Sequence, residues 1–188
     1  MSDLSNKLNR RSDKKSKRRD EKKRAIAQST ITALHKLGYA NTSLRDIASV
    51  SDLSLGMLHY YFEDKTQLIT YCVEDYKRGF VDSLLTLVET TDDPTQLTSK
   101  FAAKLARTVS EDAAMHTLWY DIRNQALFDA SFKPLVDRID NDLEQVVRSL
   151  FIKLELSNGE NALVMYSALD GVFRRFLHLH LDGRTKPV

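Results

Sequence analysis

TSLRDIASVSDLSLGMLHYYF, residues 42–62, decides how the rest of the chain is read. Ser43 followed three residues later by Asp46 is a capping box, and Leu44, Ile47 and Ala48 supply one apolar face, so a short helix starts there. Ser51, Asp52 and Leu53 make the turn. Asp52 tolerates left-handed backbone better than most residues and less well than glycine. Ser54 caps a second short helix, in which Leu58 and Phe62, four apart, form a buried anchor. With that face inward, a rotation of about 100° per residue carries Gly56 and Tyr60 to the far side, with Met57 and His59 on the flanks. Two short helices across a tight turn, the second holding a small, hydrogen-bonding surface outward, are how a helix-turn-helix offers its second helix to the major groove.

The series Thr42, Ile47-Ala48, Leu53-Ser54, Gly56, Leu58 and His59-Tyr60-Tyr61-Phe62, followed by Asp64, Lys65 and Leu68, resembles the DNA-binding domain of the tetracycline-repressor (TetR) family. The resemblance implies a repressor that binds a palindromic operator as a homodimer, through its last two helices, and is released by a small-molecule effector. Two places depart from the family pattern. Asp52 replaces the usual turn glycine. His59 stands where tyrosine is commonest and Met57 where a small or hydroxylated residue is common, so contacts there do not transfer.

Candidate DNA contacts follow from side-chain chemistry. Arg45 lies on the first turn of its helix, away from Ile47-Ala48, and arginine pairs bidentately with guanine. Thr42 and Ser43 offer hydroxyls and open amides at a helix start to phosphate. Gly56 lets backbone approach closely, Met57 suits a thymine methyl group, and His59, Tyr60 and Tyr61 can donate to phosphates or bases. Periodicity turns Leu55 inward, whereas the resemblance places it at the groove. Lys65 opposes the dipole in the first turn of its helix, which a phosphate would offset, and the resemblance gives it a backbone contact. The resemblance also brings the start of the first helix near DNA, with Arg24 on phosphate.

The fold class expected is all-α: an N-terminal three-helix helix-turn-helix domain and a C-terminal helical ligand-binding and dimerisation domain. Three prolines and six glycines among 188 residues leave long stretches of helix-period apolar sequence. Residues 1–17 are expected to be a disordered basic arm, 18–63 the DNA-binding domain, 64–182 the larger domain and 183–188 a tail. Gly38 would end the first helix as a left-handed cap. Later helices are expected near Thr95 to Thr108, Glu111 to Phe128, Ser131 to Leu156 and Gly159 to Leu181, with a Ser157-Asn158-Gly159 turn between the last two. Eleven basic and four acidic residues in 1–24 give that segment a net +7, which leaves −5 for the remainder of a chain whose total is +2. The arm either is a solubilising tail or lies along phosphates or in a minor groove.

A 42% hydrophobic content excludes a wholly disordered chain. No apolar run approaches ~18 residues and no secretory signal is present, so a cytoplasmic protein is expected. Lone Cys72 excludes an internal disulfide and a cysteine-based zinc site. No phosphate-cradling glycine loop, nucleophile elbow or metal-binding helix motif occurs, so no enzyme, cofactor or metal is expected. His178 and His180, two apart, splay on a helix, and His116 with Asp112 or Asp121 reads as a solvated pair.

In the larger domain Tyr71, Met115, Trp119, Phe128, Tyr166 and Phe173 are the candidate lining of a small-molecule site, with Arg123 and Asp170 as polar determinants. Trp119, Arg123 and the run Ser167–Gly171 resemble the betaine-regulator subgroup, which suggests a ligand-responsive core without identifying the ligand; separately, Trp119 with tyrosines could form a cage for a quaternary ammonium. Val136, Ile139, Leu143, Val146 and Leu150, and then Leu163, Tyr166, Leu169, Asp170, Phe173 and Phe176, mark the inner faces of the last helix pair. Two other readings are a DNA-binding regulator controlled by a protein partner, and a small enzyme on a helical scaffold.

Overall fold

Every regular element is helical in the computed structural model, which describes residues 2–37, 42–156 and 159–184. The helices are α1 (Ser2–Leu37), α2 (Leu44–Ser51), α3 (Leu55–Tyr61), α4 (Lys65–Thr90), α5 (Pro94–Glu111), α6 (Ala113–Gln125), α7 (Lys133–Lys153) and α8 (Ala162–Leu181), with one 3-10 turn at Ala130–Phe132 before α7. The chain divides into two compact units, Met1–Cys72 and Val73–Val188, so the division falls inside α4 rather than at its start. No described helix is long and apolar enough to cross a membrane.

α1 starts at Ser2, within the segment 1–17 expected to be an arm. The sequence explains this in retrospect. It holds no proline or glycine before Gly38, and Asp20–Arg24 sets an acid four residues ahead of a base, the orientation that supports a helix. Gly38 and Tyr39–Asn41, expected to end this helix, lie outside the described residues, as do Ser157 and Asn158.

In the first unit α1 packs on α2 and α2 on α3. Ile26, Ala33, Leu34, Ile47, Leu58, Phe62, Leu68 and Ile69 form its core, all with under a twentieth of their surface exposed. Each large aliphatic or aromatic chain so buried contributes roughly 1.5–3 kcal/mol. The Lys23 ammonium lies 5.3 Å from the Phe62 ring centre and 5.4 Å from that of Tyr71, while those two rings meet edge to face at 5.6 Å. Cys72 is buried and its thiol donates to the Ala27 carbonyl at 3.7 Å.

In the second unit α8 packs against α5, α6 and α7. Local caps set the helix starts. The Asp93 carboxylate accepts the Gln96 amide at 2.7 Å behind a first-turn proline, and Asp129 accepts from Ser131 at 2.9 Å. Gly159 has φ 88°, and a Cβ there would stand 3.0 Å from Arg148 Cγ. Arg148 also donates to the Gly159 carbonyl. Val136, Ile139, Leu143, Val146 and Leu150 are buried as expected, and so is Tyr166. Leu163 and Phe176 are not: they are 62% and 52% exposed. Their periodicity marks them as inward, but among the described residues nothing covers them.

Candidate functional site

The α2–α3 corner is built from local hydrogen bonds. Ser43 Oγ accepts the Asp46 amide at 3.2 Å and donates to Asp46 Oδ2 at 2.5 Å, and the Ser43 amide donates to the same oxygen at 2.8 Å. These bonds to Ser43 hold the Asp46 carboxyl below its ordinary range. Asp52 adopts φ 56°, ψ 30°, the left-handed conformation expected of it, and its amide donates to the Ala48 carbonyl. Ser54 Oγ then accepts the Met57 amide at 3.1 Å and starts α3.

Leu58 and Phe62 are buried, so the opposite side of α3 faces out. Arg45, Gly56 and His59 are exposed and Tyr60 is 72% exposed, with its ring 4.9 Å from that of Tyr61 in an edge-on contact. Leu55, Met57, Tyr61 and Lys65 are half-buried, and burial pulls the Lys65 ammonium below its ordinary range. Arg24 is exposed on α1. Nothing lies within 4 Å of a Cβ built on Gly56, so packing inside this chain does not require a glycine there.

Thr42 and Ser43, the hydroxyls expected to meet phosphate, differ in exposure. Thr42 is buried. It precedes the cap at the staple position, whose counterpart on the fourth helical residue, Ile47, is buried too. Ser43 is exposed, but both its donors are engaged by Asp46, and a phosphate must displace that carboxylate to use them.

The second unit holds two adjoining spaces. A chamber of about 60 Å3 is lined chiefly by Lys77, His116, Tyr120, Tyr166, Asp170 and Phe173, and an apolar cleft of about 410 Å3 opens between α5 and α8. Leu105, Leu169 and Phe173 line both. Beside the chamber a polar network ties α6, α7 and α8 together. Tyr120 Oη donates to Asp170 Oδ1 at 2.9 Å and Arg123 to Asp170 Oδ2 at 2.7 Å. Arg123 also pairs with Asp140 at 3.3 Å, and Tyr166 Oη donates to Asp140 at 2.6 Å. Burial raises the Asp140 carboxyl and, together with the adjoining carboxylates, drives both tyrosine hydroxyls upward.

Of the expected lining, Tyr166, Asp170 and Phe173 meet at the chamber, and Arg123 stands behind them. Met115 and Trp119 are buried in the core and line neither space. Phe128 is 87% exposed after the end of α6, because that helix stops at Gln125. Tyr71 belongs to the first unit, where it packs on Phe62. His116 is not a solvated partner of Asp112 or Asp121: it is fully buried, its Nε2 lies 3.1 Å from Tyr76 Oη, and its Nδ1 has no partner. Burial first, then the Lys77 charge, lowers it to about 2, so it is neutral.

Sequence reasoning missed Lys77, Tyr120 and Asp140. Lys77 had a signal: it falls at an inward position of the stripe Val73, Val81, Leu84 and Val88, all of them buried. Desolvation lowers its ammonium to about 7, against the pull of Asp170 and Asp140. Its Nζ lies 5.0 Å from the Trp119 ring centre, so a quaternary ammonium cannot use that ring as a cage wall. Among the described residues no group of three or more His, Cys, Asp or Glu converges as a metal site.

The first unit is a helix-turn-helix DNA-binding domain: residues 26–72 match the bacterial regulatory proteins of the tetR family. Beyond those residues the chain shares its all-α fold with solved transcriptional regulators. It is 22% identical to the HTH-type transcriptional regulator PksA of Bacillus subtilis (strain 168) over 168 residues, 87% of this chain and 80% of that protein. A transcriptional regulator from Pseudomonas aeruginosa PAO1 superposes with a TM-score of 0.72 at 14% identity, covering 89% of this chain and 83% of its own. A TetR transcription regulator from Haloarcula marismortui ATCC 43049 gives 0.70 at 20% identity, covering 86% and 87%.

Proposed function

We propose that the protein is a repressor that binds a palindromic operator as a homodimer and leaves it when a small molecule occupies the second unit. One observation carries the reading: α3 buries Leu58 and Phe62 and turns Gly56, His59 and Tyr60 outward, with Arg45 exposed on α2. In a dimer two such helices would enter successive major grooves about 34 Å apart. Arg45 would read a base, Met57, His59, Tyr60 and Tyr61 would meet bases and phosphates, and Lys65 and Arg24 would hold the backbone. The basic first part of α1 would add affinity without sequence preference.

The dimer reading draws support from α8. Leu163, Val164, Val172 and Phe176 are each more than half exposed, and Ala168 and Gly171, also exposed, lie between them where small residues allow two helices to cross closely. The chamber and cleft favour a small-molecule effector over a protein partner. The betaine-regulator likeness, carried by Trp119, Arg123 and Ser167–Gly171, does not extend to the ligand, because Lys77 covers the indole and Asp170 is already bonded to Arg123. Release requires a ligand that prefers the conformation in which the reading helices no longer match the operator.

Selection of bound sequences from random duplex DNA, followed by anisotropy titrations at several salt concentrations, tests this. A recovered palindrome preferred over random duplex supports it. Equal affinity for all sequences, even at low salt, sinks it.

A further inference from the structure

We infer that Lys77 is the seat for the carboxylate head of an amphipathic small molecule whose apolar body lies in the cleft between α5 and α8. This rests on the effector-controlled reading above and gives that effector a chemical class.

The Lys77 side chain is nearly completely buried, lines the chamber, and makes no hydrogen bond or ion pair among the described residues. Its ammonium lies only over rings, 5.0 Å from Trp119 and 5.3 Å from Phe80. Every polar group facing it from the neighbouring helices is either already matched or neutral. From α6 come neutral His116, and Tyr120 and Arg123, both bonded to Asp170. From α7 comes Asp140, bonded to Tyr166 and Arg123, and from α8 come Tyr166 and Asp170 themselves. The α5 wall, Phe101 and Leu105, carries no charge. The three N–H donors of Lys77 are therefore the charged donors at the chamber that no hydrogen bond engages, beside the neutral His116 Nδ1, and charged donors are best met by a charged acceptor. A cationic head would face Lys77 and Arg123 together.

Size decides the rest of the molecule. The chamber, about 60 Å3 against about 410 Å3 for the cleft, is the smaller of the two and suits the head group. Beyond the shared walls Leu105, Leu169 and Phe173, the cleft of about 410 Å3 falls in the usual small-molecule range of about 300–1,000 Å3. Apart from Ser110 and His180 its walls are apolar, among them Ala102, Val109, Val172 and Phe176, so the body must be apolar too.

Calorimetric titration of the full-length protein with hexanoate and decanoate, and in parallel with hexanol and decanol, tests the inference in wild type and Lys77→Met. At least one carboxylate should bind tenfold or more tightly than its alcohol, and Lys77→Met should erase that difference while leaving alcohol binding unchanged. Thermal melting should show the variant folded, because it removes a buried unmatched amine. Carboxylate affinity should also fall by up to about tenfold per pH unit above the free amine's value of about 7, whereas alcohol binding stays flat. Carboxylate and alcohol binding equally, carboxylate affinity unchanged in Lys77→Met, or no binding by either series would overturn it. Operator release separates the two readings. Lys77-dependent carboxylate binding without release leaves the ligand class standing and removes the effector mechanism. Release by an uncharged or cationic molecule, indifferent to Lys77→Met, does the reverse.

Discussion

At the scale of single residues the reading surface makes sharp demands. Arg45→Ala should lose ~1–3 kcal/mol of binding at one base position, whereas Lys65→Ala should weaken all sequences alike and lower the salt slope by ~1. Anisotropy titrations on the operator and its single-base variants distinguish the two outcomes. Gly56→Ala separates folding from function more cleanly still. A methyl group there meets nothing within 4 Å, so helix stability should rise by up to ~1 kcal/mol while operator affinity drops, seen by melting and by titration of the same sample. The capping box and the left-handed Asp52 were legible in the sequence because each is decided within four residues. Thr42 and Lys77 were not. A threonine before a cap and a lysine in a helix are ordinarily solvated, so the staple position of Thr42 and the apolar stripe around Lys77 are weak signals of the burial both show.

Helices as elements were legible where their ends carry local signals. Asp64 and Asp93 each accept the amide three residues on, at 2.7 Å, as the spacing of Asp64–Gln67 and the Asp93-Pro94 break led one to expect. The start of α1 was hidden because a run of mixed charge reads as disorder or helix according to how its signs are spaced. Periodicity likewise finds an apolar face but is silent on whether the same chain covers it, which is why Leu163 and Phe176 of α8 were placed inside. That uncovered face gives the prediction at this scale. Val164, 62% exposed and outside the cleft lining, should when changed to Glu leave the melting of the protomer nearly unaltered. Sedimentation should then show a monomer, and operator affinity should fall at least tenfold. A dimer that survives both Val164→Glu and Leu163→Glu would place the interface elsewhere.

For the molecule as a whole, Lys77 links protons to folding. Its folded value, about 7, lies below the ordinary 10.5, so across that interval the unfolded chain holds a proton that the folded chain does not. Stability should therefore rise with pH through this window, by at most ~1.4 kcal/mol per unit from this one group, and the gain should be lost as pH falls to the folded value. Urea unfolding at several pH values should show that slope in wild type and its loss in Lys77→Met. Trp119 gives this an optical side. It is the chain's one tryptophan, buried in the second unit with an unbonded indole Nε1 and with the Lys77 ammonium 5.0 Å from its ring. Intrinsic fluorescence excited selectively at tryptophan therefore reports on the second unit and passes over the DNA-reading one. A charge gained, lost or neutralised at Lys77 should shift the emission colour before any helix moves.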